Sequence, residues 1–480
     1  MKQMGIIFLA ALLVMGLAGT AFATNGYQLM GVGQIQRSMG GAVTAAPVDS
    51  MTAITNPAGM ARIGKRADFS MEAFMPTRSV DFSEWGGDRE EGGSELYGIP
   101  SVGWTAPAFG RDDVYFGGGM FATSGMGVDY GESVFVPGAT LDAMGEQMFG
   151  LPAGSLSGTF ENVTFDGYSL IQFWKMAPTV AWNVNDKLSV GAALNIDYQS
   201  ITINEVIRNV PFWNDPMAAS TGDFSAGITQ RTVSLDLGRP TSQMGFGAGF
   251  GVLYDVNDWL TLGASYDSQQ MFSEAEFRVG TGDISTYGGA MGVAGTYKMD
   301  LEFPQQLAVG AAIKPVEKLT VSMDVKWLDW ASTHDSITLT GPKDSFDTDG
   351  DGVGDTSSTE LAFGWDSQWI YALGLQYAAT DALTLRMGYN FAESPIDEAD
   401  VFNNLVFPAI VEQHLAFGFD YMLGEHWGIG MTYMKVFENT LVGSGDVPED
   451  FQYLTPFEED SGSEISLEED EIGMQLTYRF

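Results

Sequence analysis

Across 480 residues the chain carries 62 Asp and Glu against 22 Lys and Arg, a formal charge of −40. That balance excludes a protein that grips nucleic-acid phosphates, which need cations. Cys is absent, which excludes thiolate metal sites, cysteine nucleophiles and a disulfide framework. Glycine is abundant at 60 residues, beside 31 Phe, 17 Tyr and 11 Trp, while 45% of the chain is apolar; with that apolar content regularly spaced, disorder is excluded as well.

In chain order, the first element has the form of an export signal over residues 1–23. Lys2 is its positive end, Ile6 to Ala18 its apolar core, and Ala21-Phe22-Ala23 a small-x-small cleavage site. The apolar core is too short for a membrane helix, which needs ~20 residues. The mature chain is expected to start near Thr24. Residues 24–66 do not alternate and are rich in Gly, Ala and Ser. Within them Asn56-Pro57-Ala58 reads as a helix start, because Asn caps free N–H groups and Pro fits a first turn. A short helix ahead of a strand-rich chain suggests a plug.

From about residue 67 the pattern has period two. In Leu383 to Phe391, Leu, Leu, Met, Tyr and Phe fall on one face, and Thr, Arg, Gly and Asn on the other. Leu319 to Trp327, Leu188 to Tyr198 and Trp427 to Tyr433 read the same way. Strands are expected near 67–82, 97–106, 113–127, 170–184, 187–202, 242–254, 259–277, 299–313, 317–337, 359–377, 381–394, 409–423, 425–438 and 469–480. That makes about fourteen, the even number of a single-chain bacterial barrel.

A repeat punctuates them. Asn185-Asp186-Lys187-Leu188 matches Asn257-Asp258-Trp259-Leu260, with weaker copies at Val316, Thr380 and Gly424. These are read as short periplasmic turns, with long loops at the other end. The expectation is an all-β membrane protein: a 14-stranded antiparallel transmembrane β-barrel over 67–480, plugged by 24–66, in the bacterial outer membrane. The last strand ends on Phe480 and looks like the signal read by the barrel assembly machinery.

The run Asn25-Gly26-Tyr27-Gln28-Leu29, then Gly40-Gly41-Ala42, then Asn56-Pro57-Ala58-Gly59, set before such strands, resembles the hatch of FadL-type transporters of long-chain fatty acids and other hydrophobic compounds. The resemblance covers the whole mature chain in layout. It implies passive transport by loop capture, an internal pocket, hatch movement and lateral exit beside a kinked third strand. By that resemblance Asn25, Gly26, Asn56, Pro57 and Ala58 belong to the movable hatch. Gly117, Gly118 and Gly119 stand in the third expected strand, where glycines mark a bulge or bend; close packing against the hatch is the alternative. Val210, Phe212, Trp213 and Met217, with Met271, Phe272 and Phe277, are candidate capture residues, unless they pack on one another.

Charges on the polar faces include Asp197, Asp267, Asp324, Lys326, Arg386 and Arg479. Lys326 and Arg386 are candidates for a carboxylate head group; pairing among themselves or with the hatch is the other reading. Asp347, Asp349, Asp351, Val353 and Asp355, with Gly352 at the sixth place, form the front of a calcium loop. The Glu expected at its twelfth place is replaced by Ser358, so a solvated acidic loop is the alternative. No cofactor is called for beyond that Ca²⁺. The acidic run from Asp446 to Glu471 is a solvated loop or a bridge through divalent cations to lipopolysaccharide. The expected partners are a hydrophobic small molecule and membrane lipid, with the chain a monomer. The rival readings are a general polar porin, which needs no plug, and a structural or adhesive barrel. Three His and no Gly-x-Ser-x-Gly elbow leave little for an enzyme.

Overall fold

A computed structural model describes residues 25–93, 96–148, 150–213, 228–286, 289–347, 352–444 and 462–480. Residues 1–24, which include the expected export signal, lie outside them. Fourteen antiparallel wall strands close on themselves. They are β1 Arg66–Asp81, β2 Tyr97–Pro107, β3 Val114–Val136, β4 in two pieces (Val163–Met176 and Thr179–Asn183), β5 Leu188–Trp213, β6 Ile228–Asn257 and β7 Leu260–Asp267. There follow β8 Gln306–Val316, β9 Leu319–Leu328, β10 Gln368–Ala378, β11 Leu383–Ala392, β12 Gln413–Leu423, β13 Trp427–Val442 and β14 Glu464–Arg479. Closure runs in unbroken register from Arg66↔Arg479 to Asp81↔Glu464.

The wall is inverted relative to a soluble protein. On β1 and β14 the outward residues Phe69, Met71, Met474 and Leu476 are exposed, whereas Asp68, Ser70, Glu72, Gln475 and Thr477 are buried inside. Such a broad apolar exterior is stable only against lipid, and closing the sheet pairs every strand edge. No helix among the described residues is long and apolar enough to cross a membrane.

The repeated turns share one device. Asn185 Oδ1 accepts from the amides of Lys187 and Leu188, and Asn257 Oδ1 accepts from those of Trp259 and Leu260. Thr380 Oγ1 does the same for Ala382 and Leu383. One short polar side chain thus replaces the ladder bonds lost at each tight reversal. All these turns lie at one end of the barrel.

At the other end the expected strands need correction. The wall strands expected near 259–277, 299–313, 317–337 and 359–377 are shorter, at Leu260–Asp267, Gln306–Val316, Leu319–Leu328 and Gln368–Ala378. Residues 275–279, 295–299, 336–340 and 358–362 leave the wall and form a separate four-stranded sheet. Alternation is the same in both sheets, so period two does not separate them. Between the strands expected to end at 202 and to begin at 242, residues 203–213 and 228–241 continue β5 and β6 as a long ribbon. The strand near 170–184 starts at Val163 and is interrupted at Ala177 and Pro178. The strand expected from 409 begins at Gln413.

Residues 25–65 fill the barrel. Short helices α1 (Gln34–Arg37) and α2 (Thr52–Thr55) precede a 3-10 turn, Pro57–Ala61. Asn56 caps that turn, its Oδ1 accepting from Ala58 N at 3.2 Å, so the helix start read at Asn56-Pro57 opens a 3-10 turn instead of an α-helix. The inward glycines of the wall let this backbone approach. A β-carbon at Gly388 would overlap Gly40, one at Gly251 would overlap Asn56, and one at Gly263 would overlap the Thr44 carbonyl. At Gly374 it would sit 2.7 Å from Met39, and at Gly103 2.7 Å from Ser50 Oγ. These inward glycines mark where the hatch seats against the wall.

Candidate functional site

Among the described residues, two neighbouring wall strands, β2 and β3, part. β2 pairs with β3 only from Pro107↔Tyr115 to Ser101↔Phe121. Beyond that, Tyr97 to Pro100 stay paired with β1, while β3 continues with β4 to Val136. The next residue of β2, Pro100, has no N–H to extend a ladder. Below the split, Gly118 has φ 131°, and a β-carbon there would overlap the Ala177 carbonyl at the break in β4. Gly117 and Gly119 are equally crowded, the former also by Met60 of the hatch at 2.6 Å. Of the three, Gly118 alone has a positive φ and Gly117 alone meets the hatch, while the β2–β3 register runs unbroken through all of them.

The edge of β3 that β2 abandons is covered piece by piece. The hatch tip lies along it as a short antiparallel strand: Leu29 N donates to Thr123 O at 3.0 Å, and Gly125 N donates to Tyr27 O at 3.1 Å. Arg78 on β1 reaches across to the Gly127 carbonyl. Higher up, Gly93 N donates to Asp129 O and Asp88 N to Val134 O. Between these seams is a cavity of about 120 Å³. Tyr27, Leu29, Phe74, Ile99, Met126 and Phe173 give it a mainly apolar wall, and Arg78 and Glu469 are its charged members.

The hatch body is tied differently. Arg37 of α1, the sole cation in residues 25–61, is fully enclosed between Glu72 on β1 and Glu471 on β14, at 2.6 Å from the former. Asn390 Nδ2 donates to Gly40 O, Thr44 N to Asp324 Oδ2, and Asn56 Nδ2 to Thr44 O and Val252 O. Arg62 pairs with Asp255 at the periplasmic end. The sequence reading passed over Arg37 and Glu72, although a lone cation in a glycine-rich run facing a wall with inward acids is a legible signal.

The expected site residues fall as follows. Asn25 and Gly26 are in the tip, and Asn56, Pro57 and Ala58 in the tied body. Val210 and Phe212 sit on β5, buried, instead of in an open loop; Phe277 is buried in the outer sheet. Their alternation reflects packing inside the outer cap. Trp213 ends β5, and Met217 lies outside the described residues. Met271 is 63% exposed, and Phe272 meets Phe173 edge-on at 5.5 Å, which places it one ring from the cavity. Arg386 is held by Asp420 and Gln376 near the periplasmic turns, so it serves the wall. Lys326 lines a chamber of about 40 Å³ behind Gln28 and Leu29, together with Lys175. Asp347 Oδ2 accepts from Gly352 N, and Val353 is exposed; Asp355 donates its amide to Phe346 O. Asp349 and Asp351 lie outside the described residues, and among the described ones no cluster of metal-binding side chains occurs.

Residues 153–480 match the profile of a family described as outer membrane protein transport protein (OMPP1/FadL/TodX). Among solved structures, the chain is similar to the Pseudomonas putida toluene transporter TodX, with 18% identity, 94% of this chain and 99% of that chain covered, and TM-score 0.64. A Pseudomonas aeruginosa FadL homologue is 15% identical over 95% of this chain and 100% of that chain, with TM-score 0.66. The Ralstonia pickettii toluene transporter TbuX is 17% identical over 94% and 99%, with TM-score 0.62. A search of the curated proteins returns no match.

Proposed function

This chain belongs to the OMPP1/FadL/TodX family of outer-membrane transport proteins, and from that premise we propose that the cavity at the β2–β3 split is the holding site from which a hydrophobic molecule leaves sideways through the wall. The family's members are transport channels for hydrophobic compounds, not enzymes. The observation that carries the lateral route is the coincidence of an apolar cavity with the unstitched edge of β3, closed on its inner side by the hatch tip. A molecule placed there reaches lipid without passing the tightly seated hatch body.

A volume of about 120 Å³ suits a single ring; an apolar cavity of ~150 Å³ accepts benzene. Neutral compounds of monoaromatic size are therefore the favoured substrate, a reading supported by the toluene transporters among the similar structures. Long-chain fatty acids are the second reading. Lys175 and Lys326 favour it, since both face the chamber behind Gln28 and Leu29, where a carboxylate could end. Against it, Asp267 stands 3.9 Å from Lys175, so that cation is already engaged.

The test is uptake of labelled toluene and labelled oleate in a deletion strain carrying the wild type, Ala122→Trp or no gene. Ala122 lines the cavity on the free edge of β3. The indole fills the cavity, and toluene uptake is expected to fall to the level without the gene, while the barrel keeps its heat-modifiable mobility on gels. Wild-type uptake by folded Ala122→Trp would remove the lateral route. Oleate uptake dependent on the gene, without toluene uptake, would select the second reading.

A further inference from the structure

Every part of the hatch body is fixed by an ion pair, a cap or a glycine contact, but the tip, residues 25–33, carries no ion pair among the described residues. Three attachments hold it. One is the pair of backbone bonds to β3. A second is the bond from Gln28 Nε2 to Gln306 Oε1 on β8, at 3.1 Å. The third is to an outer loop. Tyr27 inserts into a socket made by α3 (Ala331–His334), the residue before it, and Trp365. Its hydroxyl lies 3.0 Å from His334 Nε2, and its ring centroid 4.9 Å from Trp330 and 5.4 Å from His334. Gly26 has φ 64°, and a β-carbon there would sit 2.7 Å from the Trp330 indole, so the tip docks with its backbone against the socket.

The socket is held in shape from behind. Trp330 Nε1 donates to Gln368 Oε1 at 3.0 Å, Trp365 Nε1 donates to Asn404 Oδ1 at 2.7 Å, and Thr333 Oγ1 lies 2.8 Å from His334 Nδ1. Burial keeps the His334 imidazole neutral, with its pKa held down to about 3, so one ring nitrogen is an acceptor and the other a donor. The socket also touches the cavity. Phe303 packs on Tyr27 at 5.8 Å and on Phe173 at 4.7 Å, and Phe173 is a cavity residue.

We propose that Tyr27 is the latch of the window: the loop between β9 and β10 holds the tip against β3 through the Tyr27–His334 bond, and displacement of that loop by a captured hydrophobic molecule withdraws the tip. This rests on the lateral-exit reading for its consequence, but not for its geometry. Tyr27 and His334 are positioning residues; neither has to touch the substrate. The tip covers the free edge of β3 beside the cavity and also reaches an outer-loop helix. Movement of α3 therefore has a direct mechanical path to the window, through a side chain and two backbone bonds.

The chain has no Cys, so a single introduced thiol reports cleanly. In the full-length protein in detergent, Ser124→Cys lies under the tip and Ser38→Cys lies in the hatch body. Adding Tyr27→Phe removes one buried hydrogen bond and is expected to speed maleimide labelling at 124 about fivefold, the factor that ~1 kcal/mol gives. Labelling at 38 and the melting temperature stay unchanged. His334→Gln, which keeps an acceptor, labels close to wild type, and His334→Leu matches Tyr27→Phe. Unchanged labelling at 124 in both Tyr27→Phe and Tyr27→Ala would overturn the latch, as would equal acceleration at 38. Ala122→Trp keeps the two ideas apart: if it leaves uptake intact while Tyr27→Phe still speeds labelling, the exit route is wrong and the latch stands.

Discussion

Gly388→Val converts the closed barrel into a leaky one. The Gly388 β-carbon position coincides with the backbone of Gly40, which itself has φ 66° and presses on Tyr389. Neither side can yield by turning a side chain, because the clash is backbone on backbone. Overpacking of a movable core site costs ~1–3 kcal/mol, and this site lacks the freedom that keeps the cost so low. The wall strand is fixed by ladders to β10 and β12, so the hatch is the part that shifts. Planar-bilayer recordings are expected to show stable pore-sized conductance in Gly388→Val and background current in the wild type. Gly98→Ala, where a β-carbon meets only Met71 Sδ at 3.9 Å, stays silent. A silent, folded Gly388→Val would mean that the hatch is not seated by these glycines.

Arg37→Met has the largest expected effect on stability. It leaves Glu72 and Glu471 facing each other without the cation between them, with Glu469 nearby and all three buried. Removing one partner of a buried ion pair costs ~3–5 kcal/mol, because the remaining charge is stranded. The heat-modifiable gel transition should drop sharply and recover in large part in Arg37→Met/Glu72→Gln/Glu471→Gln, which removes the stranded charge. If the triple variant is no better than the single one, the loss comes from packing of the arginine stem instead.

The barrel was legible because lipid imposes a rule on every strand: apolar out, polar in. Leu383 to Phe391 states that rule in nine letters, and β11 obeys it. The turns were legible too, since Asn185, Asn257 and Thr380 each do one local job. Outside the membrane the rule lapses. Phe277 and Val210 alternate just as wall residues do, yet they pack into a cap, Phe277 opposite Tyr297 and Val210 opposite Arg231. The window was half legible. The glycine triplet points to this stretch of wall, but the parting of β2 from β3 depends on where Pro100 falls in a register fixed by β1. The partnership of Tyr27 with His334 spans 307 positions, and no local pattern announces it.

The window also has a height. Its lower sill is bordered by lipid-facing Val102, Trp104 and Met120, whereas its upper seam involves Asp88 and Asp129. The opening therefore straddles the level at which hydrocarbon gives way to polar surroundings. On the proposed lateral route, a departing molecule is delivered to the shoulder of the outer leaflet and still has most of the bilayer thickness to cross unaided. A neutral ring crosses that remainder readily, whereas an ionised carboxylate must first take up a proton, since a bare charge in hydrocarbon is costly. The membrane itself would then screen the cargo a second time, after the protein has let it go.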